Sequence, residues 1–382
     1  MTNRALVGAL CTALSLTSLH AQTRVAFVGD SISHGFTPAH PSYRAPLWQL
    51  LSSHCVDFVG TRIGCAGGSS LAVGTLPTGL KRFDQDHEAQ SGRPAFDILA
   101  QWVVAAPVSA DLYVIQAGTN DLAWWQPVMT PANTLAALVA LTSVIQALPG
   151  SPQVCVCTLP GADPSVLTLP GISPTLLTDI ARLNALITAS PSPFPAGTLI
   201  APIDVGFDPT PNVHTFDGIH PNDAGEAKIA ATIFAAIGSS VISTTGFACW
   251  KEFGMGCEHP EANGDPEVGH LRQLGGRPIL GANYQLLLSE IPANSLPIAF
   301  VSLTDFPPIL IGPTAPGCTL LVDPTTTASP ALVGGQWILT LPIPTSTSFI
   351  GTEVFVQGIA VGGGYNPLDA LNTNAGIVRI GT

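Results

Sequence analysis

Charge is scarce in this chain of 382 residues: Asp, Glu, Lys and Arg together make up 10% of it, against about 25% in an average soluble protein. Basic residues are the scarcer kind, with 13 Lys and Arg against 25 Asp and Glu and a net charge of −12. That balance excludes the basic surface by which proteins bind nucleic acids or anionic membranes, so neither partner is expected. After the first residues, no apolar run reaches the ~20 residues of a membrane span.

Hydrophobic residues are plentiful, at 46% of the chain, which excludes intrinsic disorder. The 38 Gly and 35 Pro residues form roughly a fifth of the sequence, below the ~25–30% of low-complexity chains, and indicate many turns. At roughly 150 residues per domain, the length predicts two or three domains.

The first 21 residues have the order of a secretory signal peptide. Arg4 gives a positive start, residues 5–19 are apolar or small, and Ala21 offers a small residue for cleavage before Gln22. A buried first helix is the alternative. The pattern predicts a protein that is secreted, or held in the periplasm or at the cell surface.

The cysteines contain no C-x-x-C pair, so a structural zinc site is not expected. Export permits disulfides. Seven cysteines remain once Cys11 is removed with the signal peptide, and the odd number leaves at least one thiol free or linked to another chain. The candidate bridges are Cys55 with Cys65 and Cys257 with Cys318. Cys155 and Cys157 lie two residues apart on an apparent strand, so we expect them to share a face without bonding each other.

Residues 24–237 alternate between short apolar runs and longer amphipathic stretches. The runs predict strands at 25–28, 56–59, 112–115, 154–158 and 198–203, and the stretches predict helices at 43–53, 95–105, 131–147, 175–189 and 223–237. Continuous apolar strands separated by helices imply a three-layer α/β fold in which helices cover both faces of a parallel sheet.

Beyond a small polar connector the helical pattern stops. Strand-like runs follow at 284–288, 298–303, 319–322, 337–341, 353–358 and 376–380, with Gly and Pro turns between them. That spacing predicts an all-β sandwich. The predicted division is a signal peptide at 1–21, an α/β domain at 22–238, a linker at 239–249 and an all-β accessory domain at 250–382.

Three segments carry residues suited to catalysis. Gly29-Asp30-Ser31 directly follows the first predicted strand, at the end of the sheet where such folds bind ligands. An ordinary turn in which Ser31 caps a helix is the alternative. Position 33 is Ser, so the Gly-x-Ser-x-Gly pentapeptide of α/β-hydrolases is absent.

The second segment, Gly118-Thr119-Asn120-Asp121, follows the third predicted strand. Its Asn120 amide can donate a hydrogen bond to a developing oxyanion, although these residue types also favour plain turns. In the third segment Asp217 precedes His220 by three residues, so the carboxylate can hold one ring nitrogen and leave the other as a base. The alternatives there are a helix-capping loop and a metal site formed with His214.

Together the segments resemble the SGNH hydrolase (GDSL-type esterase) superfamily. Its motif blocks match at residues 29–31, at Gly92, at residues 118–121 and at Asp217-x-x-His220, and the resemblance spans residues 24–237. Residues 43–48, 56–60 and 86–92 look like the carbohydrate-esterase branch. That branch usually has Gly where this chain has Ala89, and an aromatic residue where it has Arg93.

The resemblance implies a flavodoxin-like parallel sheet and no metal or other cofactor. It also implies roles: Ser31 as nucleophile, His220 as base and Asp217 as the group that orients His220. The implied oxyanion hole consists of the backbone N–H groups of Ser31 and Gly92 and the Asn120 side chain. The implied activity is hydrolysis of short-chain, mainly acetyl, esters on carbohydrate through an acyl-enzyme. The alternatives are a lipid esterase or lysophospholipase, and a non-catalytic binding protein on the same fold.

Several further residues allow two interpretations. Trp124 and Trp125 offer a platform for a sugar ring, or are core anchors. His87 and Glu88 form a second acid–base pair, or hydrogen-bond within a loop. In the β region, residues 253–257, 317–321 and 353–357 look like an accessory domain of secreted bacterial proteins. Asp265, Glu267 and His270 there are candidate ion ligands, although loop polarity explains them more simply.

Overall fold

The structure is a computed structural model. It describes residues 22–37, 40–65, 83–104, 108–125, 127–241, 248–254, 257, 269–291, 294–311, 318–362 and 367–382. The predicted signal peptide and the candidate ligands Asp265 and Glu267 lie outside the described residues. No helix in the described ranges combines the length and apolarity needed to cross a membrane.

A five-stranded parallel sheet organises the first part of the chain. Its strands are β1 (Thr23–Gly29), β2 (Val56–Phe58), β3 (Leu112–Gln116), β4 (Gln153–Cys157) and β5 (Leu199–Ala201). They lie in the order β2-β1-β3-β4-β5, and each neighbouring pair is parallel. This is the flavodoxin-like order, in which ligands bind beyond the carboxyl ends of the strands.

Seven α-helices accompany the sheet in the described part of the chain. They are α1 (Ser31–His34), α2 (Arg44–Leu50), α3 (Ala95–Val104), α4 (Thr119–Trp124), α5 (Pro131–Gln146), α6 (Leu176–Ile187) and α7 (Asp223–Ile237). The predicted three-layer α/β fold is confirmed. The short helices α1 and α4 were not predicted, because neither is long enough to show a helical period.

Continuous apolar strands arise here because both faces of the sheet are buried. In β1, Val25 and Phe27 pack into one core together with residues of α2 and α7. Ala26 and Val28 pack into the opposite core, which α3, α5 and α6 complete. Cys155 and Cys157 of β4 also share one face, as expected, and both thiols are free and buried.

The second part of the chain is antiparallel β-structure. Its strands are β6 (Cys249–Phe253), β7 (His270–Gly275), β8 (Asn283–Ser289), β9 (Leu296–Ser302), β10 (Ile309–Leu310), β11 (Thr319–Leu320), β12 (Thr327–Ala328), β13 (Ala331–Val333), β14 (Gln336–Pro342), β15 (Glu353–Val361) and β16 (Ala370–Arg379). Two sheets, β12-β9-β15-β16-β6 and β13-β14-β8-β7, enclose a common apolar core. The predicted sandwich is confirmed.

One of the two candidate bridges is wrong. Cys55 pairs with Cys249, with the two Cα atoms 5.7 Å apart, whereas Cys65 is buried and forms no disulfide with the described cysteines. The partner is a distant one because β6 packs beside β2, at the edge of the parallel sheet. Cys257 pairs with Cys318, as expected.

Further contacts join the two parts of the chain at β6. The Lys251 ammonium donates to the carbonyl oxygen of Ser52 at 2.7 Å and lies 5.9 Å from the centre of the Trp48 ring. The backbone N–H of Gly254 donates to the carbonyl oxygen of Phe83. Within the predicted linker, Cys249 is already the first residue of β6. The proposed domain boundaries themselves stay predictions.

We expect the Cys55–Cys249 bridge to stabilise the protein more than the Cys257–Cys318 bridge does. The two bridges span sequence separations of 194 and 61 residues, and closing the longer loop removes more entropy from the unfolded chain, by about 1 kcal/mol. Thermal unfolding of two double variants, Cys55→Ala with Cys249→Ala and Cys257→Ala with Cys318→Ala, should therefore give the lower Tm for the first. An equal or higher Tm for the first variant would contradict this.

Candidate active site

Ser31 stands at the carboxyl end of β1, as the first residue of α1. The turn into α1 leaves no room for a side chain at Gly29, where a Cβ would collide with the carbonyl oxygen of Gln116 in β3. Asp30 caps the helix, since its carboxylate accepts a hydrogen bond from the backbone N–H of Ile32. This tight turn sets the Ser31 hydroxyl at the edge of the sheet where ligands bind.

Three side chains that lie far apart in sequence meet at this edge. The Ser31 hydroxyl lies 3.0 Å from His220 Nε2, across 189 residues of sequence. On the other side of the ring, His220 Nδ1 lies 2.7 Å from Asp217 Oδ2. The arrangement is a continuous hydrogen-bonded series from hydroxyl to imidazole to carboxylate, in which the imidazole can accept the hydroxyl proton.

Asp217 is held in the ionised form. Its Oδ1 also accepts hydrogen bonds from the backbone N–H groups of Ile219 and His220. Partial burial alone would raise the pKa of Asp217, but the hydrogen bonds and the nearby His220 outweigh it and keep the pKa below its usual range. The carboxylate can therefore accept the His220 Nδ1–H near neutral pH.

Asn120 and Asp121 hold the segment that follows Gly92. Asn120 Nδ2 donates to the carbonyl oxygen of Arg93 at 3.4 Å, and Asp121 Oδ2 accepts from the backbone N–H of Ala95 at 2.7 Å. Gly92 itself is exposed and has a φ of +76°, a conformation that favours glycine. The start of α4 therefore fixes the path of the chain beside Gly92.

His34, at the end of α1, holds the same segment from the nucleophile side. Its Nδ1 lies 2.9 Å from the Ser91 hydroxyl and accepts from the backbone N–H of Ser91 at 3.3 Å. Burial and the nearby Arg44 and Arg62 lower the pKa of His34 to about 4, so the ring is neutral near pH 7 and can accept that bond. Sequence reasoning missed this residue.

Arg44 lies within residues 43–48, which resemble the carbohydrate-esterase branch, and the structure gives it a definite set of contacts. The guanidinium is fully buried. It donates to carbonyl oxygens of three separate segments: those of Ser33 and His34, of Gly64, and of Gln85 and Asp86. Burial lowers the pKa of Arg44 to about 10, so the group remains charged near neutral pH.

Two buried carboxyl groups lie near Ser31 and His220. Burial raises the pKa of Asp30 to about 7, and one of its oxygens has no hydrogen-bond partner. Burial also raises the pKa of Asp121 to about 6. Asp30 interacts electrostatically with both His220 and Asp121, so the field at the imidazole depends on more than Asp217.

The remaining candidates are placed as follows. Trp124 and Trp125 are 50% and 46% exposed, so neither is a core anchor. His87 accepts from the Ala89 backbone, and Glu88 accepts from Thr61, which confirms the loop-bonding interpretation. His214 Nδ1 accepts from the backbone N–H of Asp208. Within the described part of the chain, no group of three His, Cys, Asp or Glu side chains is placed to hold a metal ion.

In a 2-1-3-4-5 sheet, a serine at the end of the first strand contacts a histidine from the loop before the last helix, and an aspartate of the same loop holds the other ring nitrogen. This is the arrangement of an SGNH-type ester hydrolase. The model of the GDSL-like Lipase/Acylhydrolase family matches residues 27–228, more than half of the chain. The chain belongs to that family, and it is a carboxylic ester hydrolase.

The solved structures that are similar to the chain include three esterases. An acetyl esterase mutant with acetate ion is 24% identical over 55% of this chain and 94% of its own, with a TM-score of 0.40. A family 3 carbohydrate esterase from Talaromyces cellulolyticus is 25% identical over 55% and 94%, with a TM-score of 0.39. A family 3 carbohydrate esterase from Clostridium thermocellum is 20% identical over 57% and 96%, with a TM-score of 0.38. No curated protein is significantly similar to the chain in sequence.

We expect Arg44→Met to lower the free energy of unfolding by about 3 kcal/mol or more, because it strands several buried carbonyl oxygens at about 1–3 kcal/mol each. The matched control is Arg182→Met. Arg182 is 73% exposed and its guanidinium lies 3.5 Å from the Asp179 carboxylate, so the change should be within about 0.5 kcal/mol. Urea unfolding followed by circular dichroism measures both. Similar losses in the two variants would mean that Arg44 does not hold the three segments together.

Proposed function

We propose that this protein is a secreted serine esterase that removes short acyl groups, mainly acetyl, from carbohydrate. The observation that carries the proposal is the contact of Ser31 with His220 at 3.0 Å and of His220 with Asp217 at 2.7 Å. Family membership supplies the reaction class. The finer assignments rest on the residues discussed below.

Acylation begins when Ser31 Oγ attacks the ester carbonyl carbon. His220 Nε2 takes the hydroxyl proton as the Oγ–C bond forms and the carbonyl electron pair moves onto oxygen. The resulting imidazolium is stabilised by Asp217, whose Oδ2 accepts the Nδ1–H bond at 2.7 Å. That bond also fixes the ring in the tautomer that presents a bare Nε2 to Ser31.

Collapse of the tetrahedral intermediate expels the alcohol. The C–O bond to the alcohol breaks, and His220 returns its proton to the departing oxygen, which leaves the acyl group on Ser31. Water then attacks the acyl carbon with His220 again as the base, and the acid and free Ser31 are released. No cofactor enters any of these steps.

The proposed oxyanion hole consists of the backbone N–H groups of Ser31 and Gly92 and the Asn120 side chain. Its support is that Asn120 Nδ2 bonds the residue directly after Gly92, which keeps the amide and the Gly92 N–H on one side of the site. His34 links the same segment to the helix that begins at Ser31. Donors fixed before the reaction stabilise a developing oxyanion without reorganising.

The carbohydrate assignment rests on the sequence resemblance of residues 43–48, 56–60 and 86–92 to the carbohydrate-esterase branch. Trp124 and Trp125 add support. They end and directly follow α4, four and five residues after Asn120, and half of each side chain is exposed. An exposed indole ring can pack against the apolar face of a sugar. The two disulfides support export, since such bonds persist in oxidising compartments.

We expect Ser31→Ala to abolish hydrolysis across a panel of acetyl to octanoyl esters and acetylated polysaccharides, while the protein stays folded. Asn120→Ala should lower kcat about 10²–10³-fold, the usual effect of losing one oxyanion donor. The matched control is Ser143→Ala, because the Ser143 hydroxyl donates to the carbonyl oxygen of Val139 within α5 and its loss should leave kcat unchanged. Initial rates and circular dichroism give the two readouts.

The same panel distinguishes the alternatives. Acetyl esters should be cleaved far better than octanoyl esters if the acyl group enters a small pocket beside Asn120. A preference for long acyl chains would leave the triad in place and identify a lipid esterase. Retained turnover in folded Ser31→Ala would remove Ser31 from the mechanism, and an inactive wild type would favour a binding protein on this fold.

We expect kcat/KM to rise from acid pH and to level off near neutral pH or slightly above. Only a neutral imidazole can accept the Ser31 proton, and ordinary histidines titrate near pH ~6.5. This rise on the acid side, the acid limb, does not come from Asp217, because the pKa of Asp217 lies below its usual range. The pKa of Asp30, raised to about 7, lies in the same region, so Asp30→Asn is the control and should keep the acid limb. A rate that stays flat down to pH 4 would exclude His220 as the base.

A further inference from the structure

Phe36 lies directly on the ring of the proposed base. Its ring is stacked on that of His220, with the two centroids 3.9 Å apart and the planes inclined by 19°. Phe216 flanks the same imidazole at 5.8 Å and 16°, and Phe36 lies 6.0 Å from Phe216. Two aromatic rings therefore contact His220, and Phe36 is the nearer one.

The backbone is shaped to bring Phe36 back over the site. The residue follows α1, the helix that begins at Ser31, and is separated from it by Gly35 with a φ of +87°. A Cβ on Gly35 would lie 2.7 Å from the carbonyl oxygen of Pro41, so glycine is needed for this turn. The nucleophile and the ring that stacks on its base thus lie five residues apart on one rigid turn.

Core packing does not account for this position. Phe36 is 41% exposed, so a large apolar side chain remains in contact with water. Its described ring contacts are with His220 and Phe216, both in the loop that also carries Asp217. Because Phe36 is partly exposed and stacks on His220, a role toward His220 explains its position better than a contribution to the core does.

We propose that Phe36 is a positioning residue for His220, which keeps the imidazole directed at Ser31 and stabilises it while it carries the transferred proton. The inference rests on the proposed function, in which His220 takes the proton from Ser31. The negative face of an aromatic ring attracts a cation stacked on it more than it attracts a neutral imidazole. Phe36 thereby favours the charged state that forms with the tetrahedral intermediate.

Other charges act on the same imidazole. Asp217 bonds Nδ1 from its own loop, and Asp30 acts from the turn before α1. On the far side, His40 stacks on Phe216 at 4.7 Å and bonds Asp223 at 3.1 Å. None of these groups changes when Phe36 is replaced by another uncharged side chain, so the effect of the ring can be measured separately.

The test compares Phe36→Leu, which keeps an apolar side chain without a π face, with Phe36→Tyr, which keeps the ring. Phe36→Leu should lower kcat/KM about three- to tenfold and move the acid limb of its pH profile about half a pH unit lower. Phe36→Tyr should keep the wild-type kcat/KM and the wild-type acid limb. Phe349→Leu, a change in the β region at a partly buried ring of the sandwich core, controls for the loss of an aromatic residue as such.

A second readout does not need catalysis. The ring-proton resonance of His220, assigned by its loss in His220→Gln, should titrate at lower pH in Phe36→Leu than in the wild type or in Phe36→Tyr. A loss of rate in Phe36→Leu with an unmoved resonance and acid limb would overturn the inference, as would identical behaviour of the Leu and Tyr variants. An inactive wild type in which the resonance still shifts would overturn the proposed function and leave the stacking assignment in place.

Discussion

The active-site end of this fold depends on one buried cation. Arg44 is charged and has no access to solvent. Its N–H groups donate hydrogen bonds to backbone carbonyl oxygens. Buried carbonyl groups must find a donor, and His34, Gly64 and Asp86 all lie outside the strands of the described sheets. A single guanidinium, which is planar and has five donors, holds these three segments together.

The catalytic geometry follows from that anchor. Arg44 holds the carbonyl oxygens of Ser33 and His34, so it fixes the short helix whose first residue is Ser31. The His34 ring then reaches Ser91, and through it the loop that carries Gly92. The ring of His87 lies beside that of His34, with the two ring centres 4.8 Å apart. Burial and the nearby Arg44 hold the pKa of His87 far below its usual range. The loop is thus packed on neutral imidazoles next to a permanent cation.

Much of the fold was accessible from the sequence because it depends on local pattern. Unbroken apolar strands and the helix at 223–237 were predicted from periodicity alone, and the Asp217–His220 pair from a spacing of three. The stacking of Phe36 on His220 and the hydrogen bond from Arg44 to Gln85 join residues far apart in sequence. Such contacts are set by the topology of the fold, which no local pattern encodes. The Cys55–Cys249 pairing was missed for the same reason, since it depends on where β6 packs against β2.

That pairing has a consequence for biosynthesis. When a chain leaves a ribosome or crosses a membrane from its N-terminus, Cys55 emerges 194 residues before its partner. Cys65 is only ten positions away, and short loops close more readily than long ones. Before Cys249 has emerged, the thiol nearest to Cys55 along the chain is therefore that of Cys65, which is not its partner in the structure. Burial of Cys65 in the α/β core withdraws that competing thiol once the core has formed.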